Sequence, residues 1–159
     1  MKSVEFGTKV NNILVDWISF IEKLSFNAFN EGTRLIHCLK MHKRLFGVDA
    51  KKIGGDTGYA GTGNRDFCKA NRIQTSFVKR GRPFGEEKKE KDLVRKELAR
   101  VRATAMEGSF GTQKEHYDLK RVKARTKLTE ILYIFFGFHT ANVVQLADRI
   151  ERRAKLAAA

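Results

Sequence analysis

The chain has one proline, two cysteines and far fewer acids than bases, and each shortage narrows what it can be. Cys38 and Cys68 have no CxxC spacing, and of the four histidines only His37 and His42 lie near one another. Neither a zinc ligand set nor a disulfide framework is legible, so reduced, structural cysteines in a cytosolic protein are expected. The N-terminal MKSVEFGTKV lacks the apolar stretch of a signal peptide. The longest apolar run, Ile131 to Phe138, falls well short of the roughly 20 residues that span a bilayer, and is expected to be a buried helix in a soluble protein. No lipidation motif is present, nor a polybasic amphipathic helix apart from the core, which argues against a peripheral membrane protein. Internal repeats and low-complexity tracts are also missing.

What the chain has in excess is positive charge. Against 18 acids stand 32 Lys and Arg, a net charge of +14 over 159 residues. Solubility alone does not call for so large an imbalance; a polyanion does, most simply nucleic acid. The length suits one domain with a real core, here residues 1–153, followed by a frayed tail at 154–159.

Val4 to Leu14 alternates as a strand, and Trp17 to Phe29 continues in β-branched and aromatic residues, so the pair predicts an antiparallel hairpin turning near Val15-Asp16-Trp17. Gly is preferred after Asp in such a turn, which makes Trp17 an awkward occupant if φ is positive there. Leu35, Leu39 and the Leu45/Phe46 pair recur at helical spacing, with Gly47 as the stop. VDAKKIGGD, residues 48–56, predicts a short strand ending in two glycines that admit a close approach, and an acid at the sheet edge. Asn64 is the expected cap of a short helix, and IQTSFV a further strand, so strand, helix and strand predict a parallel pairing through a crossover. EEKKEKDLVRKEL opens a long helix with acids in its first turn. Gly108 and Gly111 would loosen that helix or admit a close neighbour, and Leu128 to Ile150 is a second, apolar helix expected to pack over the sheet. Trp17 and His139 are expected to be buried in the core or at an interface.

Between Arg95 and Lys127, Arg100, Glu107 and Lys114 recur at intervals of seven, which at about 100° per residue returns each to nearly the same helix face. A cation, acid, cation stripe suits a carboxylate that holds a divalent metal beside cations that hold phosphates. A solvated helix with surface ion pairs is the plain alternative. Asp56 at a strand end adds a second carboxylate, although an Asp there also serves as an ordinary turn or cap residue. Two carboxylates meeting at a sheet edge in a cationic protein would suit two-metal chemistry on a phosphodiester. Tyr59, three residues beyond Asp56, would either approach that site or pack.

GGDTGYAGTGNRDFCKANRIQTSFVKRGRP, from Gly54, and ARVRATAMEGSFGTQKEHYDLKRVKARTK, from Ala99, resemble the C-terminal part of the insertion-sequence DDE transposases. VEFGTKVNNILVD and ISFIEKLSFNAFNEG extend the likeness over most of the chain, from Ser3 to Ile150. The resemblance implies an α/β fold, an RNase H-like mixed sheet with flanking helices, lacking its first strand at the N-terminus. It implies three acids binding Mg²⁺ (or Mn²⁺) to cut and join DNA at insertion-sequence ends. By motif the second acid is Asp56 and the closing one Glu107, while Lys114 matches the downstream lysine that contacts DNA near the cut. The signature arginine would fall at Ala103, so Arg100 and Arg102 are its out-of-register candidates. The first acid is expected upstream of this chain, and the turn-like surroundings of Asp16 argue against it as a substitute.

With two acids of three, the chain alone is expected to be inactive in strand cleavage, whether truncated, frameshifted or split. Lys79, Arg80, Arg82, Lys120, Arg121, Lys123 and Arg125 would neutralise DNA phosphates without reading bases. A non-enzymatic basic module that binds DNA or RNA on the inherited scaffold is the competing reading. Either way the expected setting is the bacterial cytoplasm, nucleoid-associated, with room for self-association and no small-molecule substrate.

Overall fold

A computed structural model of the chain describes residues 8–77, 86–101, 103–104, 107–117, 119 and 122–158, with the side chains of 86–91, 107, 110, 113 and 114 outside that description. The chain divides into two compact units, Met1–Asn12 with Ile21–Thr104, and Ile13–Phe20 with Ala105–Ala159. The fold is mixed α/β. Among the described residues its strands form two two-stranded sheets, and the one mixed sheet expected is not seen in them.

In the first unit, the base of a hairpin between β1 (Lys9–Val15) and β2 (Ile18–Ser25) leads into a 3-10 turn, Glu31–Arg34, and then α1 (Leu35–Phe46). Asn30 caps the turn by accepting the Gly32 amide, and Lys9 bridges back to the carbonyl of Phe29 and the carboxylate of Glu31. Leu35 and Cys38, three residues apart on α1, are buried. Gly47 ends the helix as its spacing predicted: at φ 72° it adopts the left-handed conformation that glycine tolerates best, and its N–H reaches the Lys43 carbonyl at 2.8 Å. β3 (Lys52–Ile53), α2 (Thr62–Ala70) and β4 (Gln74–Thr75) then form the parallel crossover, in the register Lys52 to Gln74 and Ile53 to Thr75. α2 starts at Thr62 with Gly61 as its cap, so Asn64 is not the cap. Its side-chain amide instead donates to the carbonyls of Gly32 and Tyr59, at 2.7 and 2.9 Å. α3 (Glu86–Val101) packs on β4, with Leu98 against Gly54 and an ion pair between Glu97 and Lys52 at 2.8 Å.

In the second unit, the hairpin turns through Asp16 and Trp17, both left-handed at φ 49° and 67°. α4 (Glu107–His116) packs on α5 (Lys127–Ala157). Thr126 and Thr129 close a capping box at the start of α5. Ile134, Gly137, Phe138 and Ala141 form its buried stripe, at the spacing of one helix face. Gly137 is required by a close approach, since a Cβ there would lie 2.7 Å from a methyl carbon of Leu119. Asn142 pairs with both backbone groups of Ser19, at 2.8 and 2.9 Å. Arg149 binds the Asp16 carboxylate at 2.7 Å and also its carbonyl.

Several expectations change here. Only one side of the Ile131–Phe138 run is buried: Leu132, Phe135 and Phe136 are exposed, because a helix turns every third or fourth residue outward whatever its composition. His139 is exposed and tilted over Phe135, with ring centroids 5.9 Å apart. Trp17 is 43% exposed at the hairpin tip, where it borders a cleft of about 40 Å³ shared with Tyr117 and Asn142. The tail expected to fray is helical through Ala157. The two cysteines are free and buried, as expected. Among the described residues no helix is long and apolar enough to cross a membrane.

Candidate functional site

Asp56 owes its position to a two-residue strand and two glycines. β3 ends at Ile53, and the chain leaves the sheet through Gly54 and Gly55. As predicted, these glycines admit close neighbours, but the neighbours are protein. A Cβ on Gly55 would lie 3.1 Å from the Phe77 ring and 3.3 Å from that of Tyr59, while the Leu98 carbonyl approaches Gly54. The Gly55 N–H donates to the Ser76 hydroxyl at 3.3 Å. The exposed Asp56 then caps the 3-10 turn Thr57–Tyr59, accepting hydrogen bonds from the backbone N–H and the hydroxyl of Thr57.

Tyr59 takes the packing role of its two readings. Its hydroxyl donates to Asn11 on β1, and burial pushes its pKa well above the ordinary value, with nearby acidic groups adding to the shift. The phenol is therefore a neutral anchor that ties the Asp56 turn to the hairpin base. Asn11 is the hub of that anchor. It is buried, accepts from Tyr59, and donates to Glu22 at 2.9 Å and to the Cys38 sulfur at 3.3 Å. Arg34 forks onto both oxygens of Glu22. Burial alone would raise the Glu22 pKa, but the hydrogen bonds from Arg34 and Asn11 outweigh it, and the carboxyl stays below its usual range. Sequence reasoning missed Asn11, because its partners lie 11 to 48 residues away and no local pattern marks it, and it gave Asn64 a cap role instead of the bonds it makes to Gly32 and Tyr59.

The stripe built on seven-residue spacing does not run along one regular helix. α3 ends at Val101, Ala103 and Thr104 take a π-helical turn, and α4 begins at Glu107. Glu107 and Lys114 do share α4, two turns apart. Gly108 and Gly111 lie inside α4, where a Cβ on either would meet nothing within 4 Å; of the two expectations for them, the helix loosens just ahead of them instead of admitting a neighbour. Arg100 is exposed in the last turn of α3, and Lys123 and Arg125 are exposed ahead of α5. Arg102, Lys79, Arg80, Arg82, Lys120 and Arg121 lie outside the described residues. Asp56 belongs to the first unit and Glu107 to the second.

Asp16 is committed elsewhere, as the partner of Arg149 at the hairpin turn. An exposed carboxylate such as Asp56 is a suitable hard ligand for a divalent cation, but one carboxylate does not make a two-metal centre. Among the described residues no three His, Cys, Asp or Glu side chains come close enough to hold a metal ion, so the described part of the site does not by itself fit a resident metal.

A family model described as a transposase DDE domain matches residues 53–146, from the end of β3 to well into α5. No curated protein and no solved structure matches the chain.

Proposed function

The chain belongs to the transposase DDE domain family, and from that premise we propose that it carries part of the centre that cuts and joins DNA at insertion-sequence ends. Asp56 and Glu107 are the two metal-binding acids of this reading, on an RNase H-like scaffold whose cation is Mg²⁺ or Mn²⁺. The observation that carries it is that the matched segment contains both acids, one exposed at a strand end and one opening a helix. Lys114, with Arg100 or Arg102, contacts DNA near the cut. Lys79, Arg80, Arg82, Lys120, Arg121, Lys123 and Arg125 neutralise backbone phosphates, a role supported by the exposure of Lys123 and Arg125 and by the net charge of +14.

By this reading the chain alone does not cleave DNA, because two acids of a three-acid centre hold the paired cations poorly. Asp16, the acid of the hairpin turn, is held by Arg149. The test is nicking of supercoiled plasmid in Mg²⁺. Cleavage by the wild type that disappears in Glu107→Gln would show the chain to be active by itself.

A second reading, a non-enzymatic basic module on the same scaffold, is favoured by the cap role of Asp56, which gives that acid a purely structural reason to be present. Mn²⁺ binding followed by electron paramagnetic resonance separates the two. Weak binding lost in Asp56→Asn supports the transposase centre. Salt-dependent DNA binding with no Mn²⁺ binding supports the module.

A further inference from the structure

We infer that the outer face of α1 is a second docking surface for the phosphate backbone of duplex DNA, centred on Lys40 and Arg44. The inference rests on the DNA-binding reading above but uses residues outside the matched segment 53–146. Between β2 and α1 lies an open groove of about 300 Å³, bordered by Ile21, Glu22, His37, Lys40, Met41 and Arg44.

The groove carries uncompensated positive charge for a specific reason. α1 reads LIHCLKMHKRLF and contains no acid. Of the cations near it, Arg34 is spent on Glu22 and Lys43 on Asp49. Among the described residues Lys40 and Arg44 have no carboxylate partner, and both are exposed. The single acid of the groove, Glu22, has a side chain only 5% exposed, and Arg34 and Asn11 satisfy its oxygens. An approaching anion therefore meets a neutralised floor and a cationic rim. His37 lies close enough to Glu22 to act on its charge, and adds a third nitrogen group one turn before Lys40 and Met41.

The spacing also suits a nucleic-acid strand. Lys40 and Arg44 are four residues apart, which is about 6 Å along a helix axis, close to two 3.4 Å steps of one DNA strand. Ile21 and Met41 give the groove an apolar lip against which a sugar can rest. Nothing there is arranged to read base edges, so contact of this kind fixes position and adds affinity without selecting sequence.

The test is the salt dependence of binding between the full chain and a labelled duplex of arbitrary sequence, read by fluorescence anisotropy. At roughly 0.9 per phosphate neutralised, the Lys40→Gln/Arg44→Gln double variant is expected to lower the slope of log affinity against log salt by about 2. The charge-conserving Lys40→Arg/Arg44→Lys variant is expected to keep the wild-type slope, which guards against a fold defect in the first variant. If the wild type binds steeply and the glutamine variant has the same slope, the groove is not a DNA surface and only this inference falls. That holds even if the variant has lost binding to polyglutamate, the result expected of a dock for an acidic protein. A wild-type slope near zero overturns this inference together with the DNA-binding reading beneath it.

Discussion

The two compact units of this chain hold their hairpin residues by different means. In the first, the hairpin base is fixed by a buried polar cluster in which Asn11 connects Glu22, Cys38 and Tyr59, and Arg34 neutralises the one acid. In the second, the hairpin tip is held by an apolar helix stripe, a glycine contact and two polar clamps onto backbone, from Asn142 and Arg149. A polar cluster is sensitive to loss of a single partner, since every remaining donor or acceptor stays buried and unsatisfied. An apolar stripe is sensitive to volume. The first unit should therefore respond most to changes of charge and hydrogen bonding, and the second most to changes of size.

The largest expected effect tests the first half of that contrast. Arg34→Ala strips Glu22 of its partner and should cost about 3 kcal/mol in urea unfolding. A loss below about 1 kcal/mol would show that Glu22 finds water and that the cluster is not a unit. Asn11→Ala leaves Tyr59 and Glu22 short of a partner and should cost about 2 kcal/mol. Because this variant also releases the Asp56 turn, it should lower any Mn²⁺ affinity of that acid, whereas Arg34→Ala should do so less.

For the second unit, Gly137→Leu forces a side chain into the space of Leu119 and should cost about 1–3 kcal/mol by overpacking, with little change in acid stability. At the turn, two effects compete. A left-handed conformation costs a residue such as Trp17 about 1–2 kcal/mol. Burying somewhat more than half of an aromatic of about 250 Å² at about 25 cal/mol per Å² returns roughly 3 kcal/mol, so packing wins. Trp17→Gly should accordingly destabilise by about 1–2 kcal/mol, although glycine suits the turn better; stabilisation would mean the ring packs loosely.

Acid titration separates the units at the smallest cost in perturbation. The Glu22 carboxyl is held below its ordinary value, chiefly because Arg34 and Asn11 override the opposing effect of burial, and His37 adds to the lowering. Its contribution to stability is thus present above the unfolded pKa of about 4.3 and is lost as pH falls through the lower folded value. Arg34→Ala should flatten that acid limb, while Gly137→Leu should leave its shape unchanged. In the same unit, burial pushes the Cys38 thiol to about 11 and raises Cys68 as well. Both should react with a thiol-specific reagent at pH 8 only as fast as the protein unfolds.

Much of the local architecture was legible in the residues. The hairpin and the place of its turn, the stop at Gly47, the parallel crossover through α2 and the inert cysteines all follow from patterns a few residues wide. Other expectations failed where a distant partner or the phase of a helix intervened. Asn64 has the composition of a cap, yet spends its amide on carbonyls at Gly32 and Tyr59. The Arg100, Glu107 and Lys114 stripe assumed one helix, whereas Arg100 lies on α3 and Glu107 and Lys114 lie on α4. Trp17, expected in the core, lies partly exposed at the hairpin tip. The candidate acids themselves were found by motif, while Asn11, which anchors the turn beside Asp56, carries no local mark.

Residue order alone thus settled the charge and the short elements, and put forward the two candidate acids, because these depend on composition and on neighbours within a turn or two. Folding settled which polar groups are buried together, which cations of α1 have a carboxylate partner among the described residues, and why Tyr59 is an anchor. Those outcomes depend on side chains up to 48 positions apart meeting in a medium where an unpaired polar group is costly, and no local window of sequence contains that information.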